Sequence, residues 1–342
     1  MTIQLLIPDL IPAAEMTTSL LGDLQLPSLS GLLARGSRNE VFDAGNPEAA
    51  LCKYFGIQRQ IDWPIAPLTL LADGGEPGKH YWLRADPVHL RATREQLMLV
   101  DSGAFNLDQN EAEQFAQAFN LHFQAEDYTL YPLHPKRWYM KLPLPPQITT
   151  FPVNAVTGRH IDACLPKGAD ALDWHRFYNE IQMLFFSLPV NDQRESRGEL
   201  AVNSLWCWGG GTMPLGLERS DDGTLWANDS DARALAAATG SLFAHLPANA
   251  GSIDSPGLVY LDGLSGAAQY ADYQGWREAL LELEKNWFQP LLAQLKSGKL
   301  SSLGITTFAR GHTVNWKTGR ADLYKLWRRA GITQSLTPPP NE

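Results

Sequence analysis

The sequence is poor in cysteine and in long apolar runs. It has three cysteines in 342 residues, Cys52, Cys164 and Cys207, and no Cys-x-x-Cys pair, so neither a disulfide framework nor a zinc knuckle is predicted. No apolar run reaches the roughly 18 residues that a membrane-spanning helix needs. The N-terminus lacks the basic start and the small-residue cleavage site of a signal peptide. We therefore expect a cytoplasmic protein without a membrane partner.

Positive charge is also scarce. The chain has 28 Lys and Arg against 37 Asp and Glu, a formal net charge of -9. Binding to nucleic acid regardless of sequence requires many phosphate-neutralising cations, so nucleic acid is not an expected partner. Walker A, G-x-S-x-G and H-E-x-x-H motifs do not occur, and the enzyme classes that they mark gain no support.

The apolar pattern indicates an α/β fold. The run Ile3–Ile7 is typical of a strand buried on both faces, and it is followed by Asp9, which would lie at the carboxyl edge of a sheet, where α/β proteins usually bind ligands. Later segments alternate between strand-like and helix-like apolar patterns. We predict a core strand at 202–208, a helix at 229–240 and a strand at 257–261.

The chain length and a glycine- and proline-rich stretch at 72–78 predict two domains. We expect a core domain of residues 1–75 and 200–342, interrupted by a smaller α+β domain at 76–199. In the insert, a capping-box pattern from Asp108 to Glu111 starts an amphipathic helix. In the core, Pro290 predicts a kink or two helices within 273–296, and residues 321–329 are predicted to form a terminal helix.

Three segments resemble a known family. Residues 190–214, VNDQRESRGELAVNSLWCWGGGTMP, resemble the archaeal-type cofactor-independent phosphoglycerate mutase pattern of V-N, an Arg, a Gly, P-A-N and W-L-W-G-x-G-x-x-P. PSLSGLLARG at 27–36 and the segment 83–120 resemble other parts of that family, and the bacterial RpfE-type regulatory proteins look most similar as a whole. The resemblance implies an alkaline-phosphatase-like, mostly parallel sheet flanked by helices and interrupted by an insert.

The glycine run of the motif is a candidate anion site. Glycine has no Cβ, so backbone N–H groups in a turn after the strand could approach a phosphate; a tight turn kept for packing is the alternative. The resemblance also places an arginine and an asparagine near the site, although an ordinary surface or interlobe ion pair is an equal alternative for the arginine. The phosphate-binding candidates are Arg194, Asn203, Trp208, Gly209, Gly210 and Gly211.

Most of the implied catalytic centre is replaced. The family's chemistry uses two divalent cations, a Ser nucleophile and Asp and His ligands. Asp9 matches the first metal-binding Asp, but Asn46, Pro47 and Glu48 stand where the nucleophile is expected. Aligning the family's H-V-E-A-P-D-E-A-G-H with residues 260–269 puts Ser265 at a ligand Asp and Gln269 at a ligand His. The final Asp-His pair is replaced by residues 308–312, in which only His312 could bind a metal.

A residual metal site would use Asp9, Asp262 and His312, with Asp9 and Asp262 around one weakly held Mg²⁺. Each residue also has an ordinary structural interpretation. An Asp after a strand often caps a turn, and a lone His is more often hydrogen-bonded than a ligand. The sequence leaves both interpretations open.

Three functions follow as hypotheses. The first is a non-catalytic regulatory or metabolite-binding protein without a cofactor, whose partner is a phosphorylated small molecule or a protein. The second is a divergent mutase or phosphatase that uses Mn²⁺ or Mg²⁺, with ligands drawn from Asp9, Asp229, Asp231, Asp262 and His312. The third is an interaction protein with an empty cleft.

Overall fold

The computed structural model describes residues 1–12, 16–43, 45–93, 96–217, 223–329 and 331–339. The strands are β1 (Thr2–Leu6), β2 (Ser37–Phe42), β3 (Tyr81–Ala92), β4 (Leu97–Asp101), β5 (Thr129–His134), β6 (Arg137–Leu142), β7 (Ile148–Thr149), β8 (Lys167–Gly168), β9 (Ser204–Gly211), β10 (Thr224–Trp226), β11 (Leu242–Ala244), β12 (Gly257–Tyr260), β13 (Ser302–Ala309) and β14 (His312–Gly319). The α-helices are α1 (Thr17–Leu21), α2 (Pro27–Arg35), α3 (Pro47–Tyr54), α4 (Ile65–Ala72), α5 (Gln109–His122), α6 (Val153–Val156), α7 (Ala171–Phe186), α8 (Pro189–Ser196), α9 (Ser230–Ala238), α10 (Ser265–Gln269), α11 (Tyr273–Leu283), α12 (Gln289–Ser297) and α13 (Ile332–Ser335).

The chain forms two compact units. Unit 1 comprises residues 1–55 and 218–342, and unit 2 comprises residues 56–217. Unit 2 therefore extends beyond the predicted insert, 76–199, at both ends. The reason is that α4 and β9, which flank the predicted insert, pack on β3 inside unit 2.

Unit 1 contains a seven-stranded sheet in the order β11-β10-β12-β1-β13-β14-β2. β11, β10, β12, β1 and β13 run parallel, whereas β14 and β2 form an antiparallel edge. The apolar run predicted the central strand β1 correctly, because β1 lies between β12 and β13 with most of its side chains buried. The sheet is mixed and mostly parallel, as predicted.

A π-helical turn separates the two helices predicted around Pro290. Residues Glu284–Phe288 form this turn between α11 and α12. A proline lacks the N–H that an α-helix would use, so the wider turn just before it relieves the mismatch. The same turn places the buried Glu284 against the start of α2, where its carboxylate accepts the N–H groups of Ser28 and Leu29 at 2.7 and 2.9 Å. A negative charge is favourable at a helix N-terminus.

Unit 2 is built on a five-stranded antiparallel sheet. β4, β3, β6 and β5 lie in that order, and β9 pairs with β3. The prediction that residues 202–208 form a strand of the first sheet is wrong, since β9 belongs to unit 2. The capping box is confirmed: Asp108 Oδ1 accepts the N–H of Glu111 at 2.8 Å, and Glu111 Oε2 accepts the N–H of Asp108 at 3.2 Å.

The prediction of a C-terminal helix at 321–329 is also wrong. A 3₁₀ turn spans Arg320–Tyr324 and no α-helix follows it before α13 in the described residues. Leu323 is buried, but Tyr324, Leu326 and Trp327 are exposed, so the segment has a single buried apolar residue and lacks the apolar face of an amphipathic helix.

None of the three cysteines forms a disulfide. Within the described ranges, no helix is long and apolar enough to cross a membrane.

Candidate functional site

Carboxylates gather at the carboxyl edge of the seven-stranded sheet. Three neighbouring parallel strands end there, and each is followed by an aspartate: Asp229 after β10, Asp262 after β12 and Asp9 after β1. Because parallel strands end at one edge, residues far apart in sequence are brought to the same side of unit 1. We call Asp9, Asp229, Asp231, Asp262 and Glu48 the acidic edge.

Asp229 has a strongly perturbed carboxyl group. Its Oδ1 accepts the N–H of Ala232 at 2.7 Å and so caps α9. Burial, followed by the neighbouring charge of Asp231, raises the pKa of Asp229 to about 7; Asp262 adds to the effect. Burial also raises the pKa of Asp262. Like charges held out of water favour the protonated form, so Asp229 exchanges a proton near neutral pH.

Tyr260, at the end of β12, is exposed to the negative charge of several of these carboxylates. Burial is the main cause that raises the pKa of its hydroxyl well above the ordinary value, and the charges of Asp229, Glu48 and Asp262 raise it further. Tyr260 therefore stays protonated and can donate a hydrogen bond. A partly desolvated group of carboxylates beside a phenol suits proton exchange or attraction of a cation.

Asp9 lies in a strained backbone position. Its φ of 57° is in the left-handed region, which Asp tolerates better than most residues. Its carbonyl oxygen accepts the indole N–H of Trp276 at 2.9 Å, which ties the end of β1 to α11. The backbone of Asp9 thus has a structural role in the turn, while its half-buried side chain remains part of the acidic edge.

His312 opens β14 opposite Ala309, at the same edge of the sheet. It is buried, its ring packs edge-on against Phe42 at 5.0 Å, and its Nδ1 lies 3.1 Å from the carbonyl oxygen of Arg310. These contacts match the structural interpretation of a hydrogen-bonded histidine better than that of a metal ligand.

The two-metal centre implied by the resemblance does not fit the residues present. Asn46, one of the three residues that stand where the nucleophile is expected, accepts the N–H of Ala49 at 2.8 Å and caps α3. Ser265 and Gln269 are the first and last residues of α10, where metal-binding carboxylate and imidazole groups would be needed. Among the described residues, no three His, Cys, Asp or Glu side chains are grouped so that they could hold a metal ion.

Arg194, a predicted phosphate ligand, is buried in unit 2. Its guanidinium donates to Glu111 Oε2 at 2.7 Å, to the carbonyl oxygen of Asn106 at 2.7 Å and to that of Leu200 at 2.9 Å. The structure thus places Arg194 in a structural ion pair that joins α8 to the start of α5. The alternative of an ion pair is therefore correct, but the pair is buried inside unit 2 and not at the surface or between lobes.

Asn203 and Trp208 also have protein partners. The Asn203 amide exchanges two hydrogen bonds with the backbone of Leu90, at 2.7 and 3.0 Å. The Trp208 indole N–H donates to Asp86 at 2.7 Å, and its ring lies under the Arg84 guanidinium at 5.1 Å. Arg84 and Asp86 themselves form a buried salt bridge of 2.8 Å.

The predicted glycine turn is a continuation of a strand. Gly209, Gly210 and Gly211 are the buried last residues of β9, so the prediction of a turn after the strand is wrong. A Cβ at Gly210 would lie 2.4 Å from the Tyr81 hydroxyl oxygen, and one at Gly211 would lie 2.6 Å from Pro64. Gly209 has a φ of 66° and donates its N–H to Thr150. Close packing accounts for these glycines; phosphate binding by this group of six residues stays a prediction.

Sequence reasoning missed Tyr260 and the buried Arg84–Asp86 pair. The Arg84–Asp86 pair could have been predicted from the sequence. Residues two apart in a strand point to the same face, so an Arg-x-Asp pattern in a strand can form a salt bridge. Tyr260 had no such signal. Its importance comes from β10 and β12 lying side by side, which depends on sheet order.

Two solved structures are similar to this chain, and the first of them, with a TM-score above 0.5, shows the fold class. The PH0037 protein of Pyrococcus horikoshii aligns over 98% of this chain and 92% of its own, with a TM-score of 0.51 and 13% identity. The cofactor-independent phosphoglycerate mutase of Thermoplasma acidophilum aligns over 99% and 95%, with a TM-score of 0.49 and 14% identity. The protein is a mixed α/β protein with a central, mostly parallel sheet and flanking helices, as predicted.

Sequence comparison finds two mutases. The chain is 28% identical over 137 residues to the 2,3-bisphosphoglycerate-independent phosphoglycerate mutase of Methanosarcina mazei, a match that spans 39% of this chain and 34% of that enzyme. It is 26% identical over 155 residues to a probable mutase of the same kind from Geobacter sulfurreducens, spanning 44% and 38%. The matches thus span well under half of each relative's length. No family model matches the sequence.

Proposed function

We propose that this chain is a phosphoglycerate-mutase-like protein without mutase activity, which binds a phosphorylated metabolite and has a regulatory role. The partial similarity to two mutases supports the ancestry. The overall resemblance to RpfE-type proteins is the reason for preferring a regulatory role. Fold similarity alone does not decide function, so the argument depends on the site.

The observation that carries the proposal is the role of Asn46. The resemblance implies a hydroxyl nucleophile in the stretch Asn46, Pro47 and Glu48, and none of these residues has a hydroxyl that could act in phosphoryl transfer. The Asn46 side chain is instead used to cap α3. With Ser265 and Gln269 at positions of metal ligands, both the nucleophile and the means of stabilising the developing charge are lost.

The acidic edge favours a second candidate, a divergent metal-dependent mutase or phosphatase. Burial raises the pKa values of Asp229 and Asp262, and neighbouring carboxylates raise that of Asp229 further. A bound cation would neutralise these charges and so stabilise the folded protein. An acidic edge also repels a phosphorylated ligand unless a cation lies between them. Tests of ligand binding therefore have to be done with and without a divalent cation.

The direct test is turnover. The full chain is assayed for interconversion of 3-phosphoglycerate and 2-phosphoglycerate, and for hydrolysis of p-nitrophenyl phosphate, in Mn²⁺ or Mg²⁺, with the Methanosarcina mazei mutase as positive control. We expect no turnover. The variant Asn46→Ser, which restores a hydroxyl and keeps a good cap, is also expected to be inactive because Ser265 and Gln269 remain.

Binding is tested in parallel by thermal shift with 3-phosphoglycerate and with inorganic phosphate, each with and without Mg²⁺. A ligand that binds only the folded state raises the melting temperature in a concentration-dependent way. We expect such a rise with 3-phosphoglycerate. Turnover that is lost in Asp229→Asn and Asp262→Asn would favour the second candidate, and absence of any shift would overturn the proposed metabolite binding.

A further inference from the structure

Charge is strongly segregated along the chain. Residues 296–329 contain eight Lys and Arg and a single acidic residue, Asp322, so they carry a net charge of +7. The rest of the chain has 20 basic and 36 acidic residues, a net charge of -16. The overall value of -9 therefore conceals a basic segment, and expectations based on net charge alone do not apply to it.

The topology brings three of these cations to one edge of unit 1. Lys296 and Lys299 precede β13, Arg320 directly follows β14, and the ends of these strands pair through Ser302 and Gly319. β1 begins at the same level, with Thr2 opposite Ser302. This is the amino edge of the parallel strands, on the opposite side of the sheet from the acidic edge.

Large apolar side chains project from the same segment. Tyr324 is 72% exposed, Leu326 58% and Trp327 76%. The segment is held in place by the buried Leu323, whose carbonyl oxygen accepts a hydrogen bond of 3.2 Å from Arg35. Arg328 also bonds the carbonyl oxygen of Gly36 at 3.2 Å. The exposed side chains are therefore displayed on an anchored segment.

We call this region the basic–aromatic surface and define it by the exposed residues Lys296, Lys299, Arg320, Tyr324, Leu326, Trp327, Arg328 and Arg329. Side chains exposed to this extent do not line a groove but project into the solvent. Pairing of two copies through this surface would place the cations opposite one another, so symmetric self-association is disfavoured. The partner has to be anionic.

A lipid surface fits this combination better than nucleic acid. Base stacking would use the two aromatic rings, but Leu326 between them has no stacking role. A bilayer interface accepts all three side chains, since Trp and Tyr prefer the headgroup region and Leu enters the acyl boundary. Clusters of four to eight Lys and Arg are typical of sites that bind anionic headgroups.

We propose that the basic–aromatic surface binds anionic phospholipid membranes peripherally. The cations attract the surface, and Tyr324, Leu326 and Trp327 insert into its interface. This property is independent of the acidic edge and of the function proposed above. It revises the expectation that the protein has no membrane partner, which depended on the lack of a spanning segment and of a signal peptide.

The experiment is flotation of the full chain with phosphatidylcholine vesicles, with and without phosphatidylserine, at about 0.15 M salt. We expect binding only to the phosphatidylserine vesicles, weakened by added salt. Trp327→Ser should lower the affinity about tenfold, and Arg329→Gln about fivefold. Matched controls in unit 2 are Phe186→Ser, which removes a ring that is 83% exposed, and Lys79→Gln; neither should change binding.

Circular dichroism of each variant shows whether it is folded, which is expected because the changed side chains are exposed. Three results would overturn the proposal. They are no binding to either vesicle, equal binding to both vesicles, or binding that Phe186→Ser reduces as much as Trp327→Ser. Binding of a single-stranded oligonucleotide without binding of phosphatidylserine vesicles would also contradict it and identify nucleic acid as the partner.

Discussion

Asn46 Oδ1 accepts the backbone N–H of Ala49 at 2.8 Å, and this hydrogen bond caps α3. Asn46 is one of three residues, with Pro47 and Glu48, that stand where the mutase resemblance implies a nucleophilic hydroxyl. The capping role explains why an asparagine is stable there without any catalytic function, since Asn is among the best N-cap residues. A serine at position 46 could cap α3 equally well and would also supply a hydroxyl. The Asn46→Ser variant therefore tests the catalytic role of the position without losing the cap.

Asn46→Ala should lower the free energy of unfolding by about 1 kcal/mol, because the N–H of Ala49 loses its acceptor. Asn46→Ser should be close to neutral, since its hydroxyl can accept the same hydrogen bond. Urea denaturation followed by circular dichroism measures both. Equal destabilisation by the two variants would show that the amide has another role, such as contact with a ligand.

Arg194→Ala should destabilise unit 2 by about 2–3 kcal/mol, because Glu111 Oε2 and the carbonyl oxygens of Asn106 and Leu200 lose a buried donor, although Arg197 still pairs with Glu111. Arg176→Ala, which removes the exposed partner of Asp173, is the matched control and should have no measurable effect. Thermal unfolding in the absence of ligand provides the comparison. A stable Arg194→Ala protein that had lost binding to 3-phosphoglycerate would restore Arg194 as a ligand residue.

Asp229 makes stability depend on pH. Its folded-state pKa of about 7 lies above the ordinary value, so the native state holds the proton more tightly and stability falls as pH rises from about 4 to 7. Asp229→Asn keeps the cap but removes the charge. It should come close to the wild type near pH 4, where Asp229 is protonated in the folded state and about half protonated in the unfolded state, and be more stable than the wild type at pH 8.

The measurement is denaturant unfolding across this pH range, with the exposed Asp254→Asn as control. The control should follow the wild-type profile. If Asp229→Asn also showed the wild-type profile, the raised pKa of Asp229 would be refuted. Added Mn²⁺ that stabilised the wild type at pH 8, but not Asp229→Asn, would favour the metal-dependent candidate.

Gly210→Ala tests whether the glycine run serves packing. The added Cβ would lie 2.4 Å from the Tyr81 hydroxyl and 2.7 Å from Leu83 Cδ2, so we expect a loss of about 1–3 kcal/mol without any ligand present. Gly31→Ala in α2, where the new Cβ meets nothing within 4 Å, should instead stabilise by up to about 1 kcal/mol. An unchanged stability of Gly210→Ala, together with weaker phosphate binding, would return the glycines to the ligand site.

Local patterns predicted several elements well. The capping box at Asp108 and Glu111, the buried strand β1 and the interruption of the helix before Pro290 each depend on residues close together in sequence. The mostly parallel sheet followed from the resemblance. Each of these features can be predicted because the physical cause lies within a few residues or within the quoted motifs.

The errors concern partners distant in sequence. A strand was predicted at 202–208, and β9 covers residues 204–211. An apolar run does not indicate which sheet a strand joins, and β9 pairs with β3 in unit 2. The glycines after Trp208 were predicted to form a turn, whereas they are needed because Tyr81 and Pro64 leave no room for a Cβ. These two residues are far away in the sequence, so the sequence did not reveal the close packing. Arg194 was ambiguous for the same reason, since its partner Glu111 lies 83 residues earlier.

The central claim is that the acidic edge no longer holds the two cations of a mutase. Elemental analysis after incubation with Mn²⁺ and Zn²⁺ and removal of free ion gives the number of tightly bound metals per chain. The account predicts no retained metal in the wild type and none in Asn46→Ser. Two metals per chain, lost in Asp9→Asn and Asp262→Asn, would contradict it and identify a divergent metal-dependent enzyme.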